Sequence, residues 1–201
     1  EMFVECYELL SLDVSSFDTS NVFSMDTMFG YCRKLTELDV SGFDTSNDPE
    51  LSCLFIGCEK IKSLDLSNFT FNYLPYGVFI GCESLETIYV SDNTDLSNMY
   101  SDDFFWLCYS LVGGAGTTYD AEKINLEYAR IDGLNGLPGY FTVNTDKFGF
   151  AEYNDNGELV NVYDSLEDAL ENATDGNTIV LNSDTTITSD EDTIKITGDV
   201  T

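Results

Sequence analysis

The sequence predicts an α/β repeat solenoid, with parallel strands stacked on one face and short helices opposite, followed by a small mostly-β segment. Three observations carry this expectation. Phe-x-x-Cys recurs in register, its cysteines falling at Cys6, Cys32, Cys58, Cys82 and Cys108, so the steps are 26, 26, 24 and 26 residues. Fixed-period self-similarity of this kind is how a repeat architecture shows itself in a sequence. Within each unit a period-two stretch gives way to apolar residues at helical spacing. Near residue 146 the repeat stops and a different grammar begins. The chain therefore divides into residues 1–145, about five units with an end segment, and residues 146–201.

The strands come first in each unit. Leu12-Asp13-Val14 returns as Leu38-Asp39-Val40, Leu64-Asp65-Leu66 and Ile88-Tyr89-Val90. Apolar, outward, apolar is the pattern of a short half-buried strand, and parallel strands are expected over 11–15, 37–41, 63–67 and 87–91. Phe17, Phe43 and Phe69 follow, placed to stack as an inner aromatic column. Thr-Ser-Asn then reads as a turn able to cap a helix at Ser20 or Asn21. Val22, Met25, Met28, Phe29 and Cys32 continue at i, i+3, i+4 spacing. In the next unit Asp48-Pro49 supplies the helix start, and Leu51, Leu54, Phe55 and Cys58 repeat the apolar face. The third unit is two residues shorter, and its "NYLPYGVFIGC" reads as a tighter turn. One such unit cannot bury its apolar side alone, so stacking on its neighbours is the purpose of the repetition.

The second segment reads as a hairpin around Asn156-Gly157. A helix capped by Ser165 follows, with Leu166, Ala169, Leu170 and Ala173 on one face. Gly176 stops it, a strand spans Thr178–Leu181, and two more strand-like pieces follow.

Composition narrows the function. There are 37 acidic residues against 8 basic ones, a net charge of −29. Such a surface repels the phosphates of nucleic acid and of anionic lipid, so no nucleic-acid partner is expected. No run of about 18 apolar residues exists, so no membrane insertion is expected. Histidine is absent, which removes Ser-His-Asp and Cys-His catalysis and the commonest zinc sites.

The units resemble the leucine-rich repeats of BspA-type bacterial surface proteins. The likeness lies in "LDVSGFDTSN" and in the "MFGYC", "LFIGC" and "VFIGC" endings. It continues through residues 111–142, which are similar to the end segment of such arrays. It implies a leucine-rich-repeat solenoid on an exported protein of the bacterial cell surface that adheres to host matrix or to other cells, and no catalysis in the repeat itself. Residues 146–201 resemble the first turn of a pectate-lyase-like parallel β-helix. Residue 1 falls inside a repeat and residue 201 on a strand, from which a piece of a longer protein is expected, with open ends able to self-associate.

Candidate sites are weighed against packing. The five column cysteines occupy one inward position per unit. With helices about 10 Å apart, neighbours exceed the roughly 7 Å Cα separation a disulfide allows, so reduced, buried thiols are expected. Cys53 stands off the column, aligned with Thr27. No Cys-x-x-Cys pair suggests zinc. "NDNG" at 154–157 fails the calcium-loop pattern because Tyr163 stands where its last acid belongs. "GGAG" at 113–116 lacks the lysine of a phosphate loop. Neither a metal nor a cofactor is expected.

The candidate ligand surface is the concave strand face, where Asp13, Asp39, Asp65 and Tyr89 form an outward column beside Ser15, Ser41, Ser67 and Ser91. Strands lie about 4.8 Å apart, so neighbouring carboxylates repel by roughly 0.9 kcal/mol in water. Either each Asp bonds the corner after its strand, or the column meets a basic protein patch, sugar hydroxyls or Ca²⁺. The expected function is an extracellular recognition module that binds a host or bacterial surface protein or a glycan. The alternatives are a spacer, or the targeting module of a larger β-helix enzyme acting on polysaccharide.

Overall fold

The computed structural model describes residues 2–71, 75–99 and 101–181. Repeat units lie one upon another around a column of phenylalanines. The rings of Phe3, Phe29, Phe55, Phe79 and Phe105 stack with centroids 5.8–6.2 Å apart and planes within 10°. Phe29, Phe55, Phe79 and Phe105 are fully buried, each ring contributing about 1.5–3 kcal/mol by leaving water. Phe43 stacks on Phe69 at 6.4 Å, whereas Phe17 is half-buried and packs on Phe3 instead.

Of the four parallel strands expected, the structure forms two, within 63–67 and 87–91. Residues 11–15 and 37–41 form no strand, and among the described residues no ladder joins 37–41 to 63–65, which is an edge of its sheet. β1 (Ser63–Asp65) pairs parallel with β2 (Thr87–Val90). Between the first two units the pairing reduces to a parallel bridge from Ser11 to Glu37. β3 (Phe141–Val143) comes from the end segment and extends the same sheet, in the order β1-β2-β3. Tyr140 and Phe141 meet Phe105 edge-on, at 76° and 74°. The parallel ring stack therefore stops there, closed by the end segment.

The short helices expected opposite the strands are not formed. Residues 25–32 follow a repeated turn in which alternate amides face different ways. Met25, Thr27, Phe29 and Tyr31 donate to the carbonyls of Glu50, Ser52, Leu54 and Ile56 in the next unit, while Met28, Gly30 and Cys32 donate three residues back. Cys53, Phe55 and Gly57 repeat this towards Tyr76, Val78 and Ile80. The turn needs left-handed backbone twice per unit, at Thr27 and Tyr31 (φ 52° and 60°), Cys53 and Gly57, Gly77 and Gly81, and Asp103 and Leu107. The reason is spacing. Packed helices need 8–10 Å between axes, but the rings stack at about 6 Å, so the opposite side uses backbone bonds of strand-like spacing. The four-residue zigzag brings Met25, Met28, Phe29 and Cys32 inward, the same positions a helix would choose.

The Phe-Asp-Thr-Ser-Asn turn is likewise a set of bonds between units rather than a helix cap. Buried Thr19 accepts the Asp44 N–H at 2.7 Å and donates to the Asp44 carbonyl at 3.0 Å; Thr45 accepts the Thr70 N–H at 2.8 Å. Asn47 Nδ2 donates back to the Ser20 carbonyl at 2.7 Å. Asp48 has left-handed backbone (φ 50°) and opens no helix.

All six cysteines are free thiols. Without helices, the spacing argument against disulfides does not apply. The thiols are instead occupied: Cys32, Cys58, Cys82 and Cys108 donate to the carbonyls of Phe3, Phe29, Phe55 and Phe79 at 3.0–3.3 Å. Phe-x-x-Cys is thus one interlocking device, a ring that stacks and a thiol that bonds the carbonyl of the phenylalanine one unit earlier. Burial pushes the Cys32 thiol up to about 11 and that of Cys108 to about 12.

The second segment is a three-stranded antiparallel sheet, order β5-β4-β6, with one helix. β4 (Phe150–Tyr153) pairs with β5 (Leu159–Tyr163) and β6 (Thr178–Leu181), and α1 (Leu166–Asn172) is capped by the Ser165 side chain accepting the Asp168 N–H. Hairpin, helix and strand stand where the sequence places them, but every pairing is antiparallel, so residues 146–181 contain no parallel β-helix turn. The two later strand-like pieces lie outside the described residues. Alternation divides the hairpin: Ala151 and Val162 join the core of the repeats, while Phe150 and Tyr163 enclose Ala169. The segment is therefore seated on the array through one sheet face.

Two outcomes follow. Phe55→Ala removes a fully buried ring from the middle of the stack and lowers stability by about 3–5 kcal/mol; Thr27→Gly relieves left-handed strain of about 1–2 kcal/mol and leaves stability unchanged or raised, both read by urea unfolding. With a thiol reagent, the native protein reacts first at half-buried Cys6 and Cys53 and only on unfolding at the four buried cysteines, as mass spectrometry of the labelled peptides will show.

Candidate functional site

The outward row of the sheet runs Asp65, Tyr89, Thr142 by strand register. Asp13 and Asp39, in the same place on earlier units, are exposed, while Asp65 and Tyr89 are half-buried. Each Asp turns back into its own corner. Asp13 Oδ1 accepts the Ser15 N–H at 2.9 Å, Asp39 Oδ1 accepts the Ser41 N–H at 3.0 Å and its hydroxyl at 2.6 Å, and Asp65 Oδ1 accepts the Ser67 N–H at 3.0 Å together with its hydroxyl. These serine bonds hold the Asp13 and Asp39 carboxyls below the usual carboxylate range. Ser15, Ser41 and Ser67 of the second column are thus tied to the first, whereas the Ser91 hydroxyl bonds Asn93 and Thr94 instead. Corner bonding is what the structure displays at all three Asp residues.

Asp65 carries a further load. Asn144 Nδ2 donates to its Oδ2 at 3.0 Å, and Lys147 Nζ lies 3.8 Å from the same oxygen while donating to Asn68 Oδ1 at 3.1 Å. The stretch 144–147 is a strap across the strand face, fastened 79 residues back in sequence. Beside it a groove of about 780 Å³ contains Asp39, Asp65, Tyr89, Lys60, Lys62 and Asn144 among its walls. Three of the four expected residues therefore share one groove. Asp13 lies outside it. Lys60, Lys62 and Asn144 could not be found from the sequence, because nothing in their local pattern marks them and the strap returns from outside the repeat.

Two buried carboxylates elsewhere are saturated by their neighbours. Asp132 accepts the amides of Ala115, Thr117 and Gly139 at 2.8–3.0 Å and the Thr117 hydroxyl, closing the glycine-rich loop 113–116 over the end segment. Glu152 accepts the Tyr163 hydroxyl at 2.6 Å, the Thr174 N–H at 2.8 Å and Asn177 Nδ2 at 2.6 Å. Among the described residues no group of three or more His, Cys, Asp or Glu is placed to hold a metal ion, and no helix is long and apolar enough to cross a membrane.

The described residues thus present stacked phenylalanine and cysteine columns and a polar strand face with a groove beside it. A family model described as "Mycoplasma protein of unknown function, DUF285" matches residues 1–74, which are thus similar to a BspA-related repeat family. The match reaches the first part of the third unit. Comparison with curated proteins and with solved structures gives no match.

Glu152 sets a pH dependence. Desolvation raises its pKa, but the bonds from Tyr163, Asn177 and Thr174 together outweigh that, and the group lies below its ordinary 4.5. A lowered folded-state pKa adds stability above the unfolded value and loses it as pH falls through the folded value. The 146–181 segment is therefore expected to loosen below pH 4.5. Glu152→Ala, which leaves three donors unpaired at about 1–3 kcal/mol for each buried one, should loosen it already at neutral pH. Hydrogen exchange across β4 and β5 is the measurement.

Proposed function

We propose that this chain is an extracellular recognition module of a bacterial surface, a leucine-rich-repeat solenoid that adheres to a host or bacterial surface protein or glycan. The groove beside Asp39, Asp65 and Tyr89 carries the reading: its volume of about 780 Å³ lies in the range of ligand clefts. Its walls combine one aromatic face with carboxylates, lysines and an amide, groups that orient a polar partner by hydrogen bonds while the ring excludes water. The resemblance to adhesive surface repeats points the same way. No nucleic acid is a partner in this reading, because the acidic surface opposes it.

A second reading, a spacer, draws on one observation: each Asp of the column is already explained by its corner bond. The two separate by experiment. In solid-phase binding to immobilised matrix proteins and glycans, Asp39→Asn and Lys62→Ala, both exposed and in this groove, are each expected to weaken retention about 3–10-fold at unchanged melting temperature. Asp13→Asn, outside the groove, serves as the control and leaves retention unchanged. Equal retention by all three variants, or none by the parent protein, favours the spacer. Asp65 is unsuited to this test, since its loss releases the strap.

A further inference from the structure

A second groove, of about 790 Å³, lies on the other side of the strap, between the end segment and the β4–β5 hairpin. Its walls include Tyr89, Tyr153, Thr142, Asn144, Asn156 and Glu158, and its floor includes the glycine-rich loop 114–116. Tyr89, Asn144 and Asp146 belong to both grooves, so the two form one interrupted trough along the sheet with Tyr89 at the crossing.

The chemistry of the second groove differs from that of the first. None of the residues lining it is basic. Two half-buried tyrosines face it, and among the described residues neither phenol has a hydrogen-bond partner. The buried tyrosines behave otherwise: Tyr140 accepts the Asp120 N–H and Tyr163 donates to Glu152. Glycines 114 and 116 bring bare backbone to the surface, and Thr142 and Asn156 add a hydroxyl and an amide. Ring faces that take C–H surface, with unengaged phenols, hydroxyl and amide groups around them, suit a ligand apolar on its faces and rich in hydroxyls at its edges. Glu158 and Asp146, with a net charge of −29 for the whole chain, oppose uronate, sulfate and phosphate.

We infer that this groove binds an uncharged oligosaccharide, its sugar rings laid against Tyr153 and Tyr89. A basic peptide is the competing occupant, because acidic walls attract cations. The sugar is favoured by the groups around the rings, since both phenols, the Thr142 hydroxyl and the Asn156 amide are neutral and the Glu158 carboxylate already accepts Asn154 Nδ2 at 2.7 Å. The Asp146 carboxylate is the group a basic peptide would seek. The site goes beyond the adhesion reading above and does not require the first groove.

The test uses the full chain on an array of neutral, amino and acidic glycans beside a lysine-rich peptide, each at low and at high salt. Retention on neutral oligosaccharides, changed less than about twofold by salt, is the expected result, because salt screens charge–charge attraction and leaves ring stacking in place. Ala115→Trp puts a large side chain on the exposed floor and should abolish retention with the melting temperature unchanged. Tyr153→Phe keeps the packing, removes the phenol and should weaken retention about 3–10-fold. Asp39→Asn, in the first groove alone, should leave neutral-glycan retention intact, so that failure of one site is told from failure of the other. Retention only of the lysine-rich peptide, lost at high salt, overturns the proposal, as does neutral-glycan retention that Ala115→Trp leaves unaltered.

Discussion

One spacing governs the repeats. Neighbouring units meet at backbone hydrogen-bonding distance on the side opposite the strands, and β1 meets β2 at the same distance on the strand side. Strands in a sheet lie about 4.8 Å apart, and a row of helices cannot be packed so closely. The chain meets the constraint by giving alternate amides of residues 25–31 to the following unit and by accepting left-handed backbone at two positions per unit. Thr27, with a branched β-carbon, is an unfavourable residue for such a φ, and it persists because bonds on either side fix it. Gly57 shows the other solution. A β-carbon there would come within 2.6 Å of the Tyr31 ring, so the glycine supplies both the conformation and the room for its neighbour's side chain.

The side-chain columns follow from the same spacing. Phenylalanines can stack face to face only because successive units superpose with little rotation between neighbours, and each cysteine can reach the carbonyl of the phenylalanine one unit earlier for the same reason. Threonine at the corner joins its buried hydroxyl to the next unit's backbone, as cysteine in the core joins its thiol to the preceding one. A buried hydroxyl or amide left unpaired costs about 1–3 kcal/mol. Each repeated polar residue thus satisfies a group that stacking would otherwise strand, and among the described residues no buried side-chain nitrogen or oxygen lacks a partner.

The strand face is shaped by what lies over it. Asp65 is the third of three equivalent residues by sequence, yet it alone holds the strap through Asn144 and Lys147. That fastening seats the antiparallel segment against the end of the array and leaves a groove on each side. An ordinary corner residue becomes the anchor of the trough because of where the chain returns, with no change in its own repeat.

The sequence by itself determined the repeat and its register, the inward phenylalanine and cysteine columns, the outward Asp and Tyr positions, and the hairpin, capped helix and strand of the second segment. These are local or periodic properties, and each is written in the spacing of a few residues. Tertiary structure alone decided that residues 25–32 and their equivalents form a hydrogen-bonded zigzag. A helix and this zigzag both bury i, i+3, i+4 and i+7, so the hydrophobic pattern cannot tell them apart; what separates them is the distance to the neighbouring unit. It also decided that β6 pairs antiparallel with the free edge of β4, because the edge a strand reaches after α1 is set by packing and not by its own sequence. The grooves were decided there as well: the first joins residues of the second unit to Asn144 and Asp146, the second joins Tyr89 and the end segment to the hairpin, and no periodicity connects those parts of the chain.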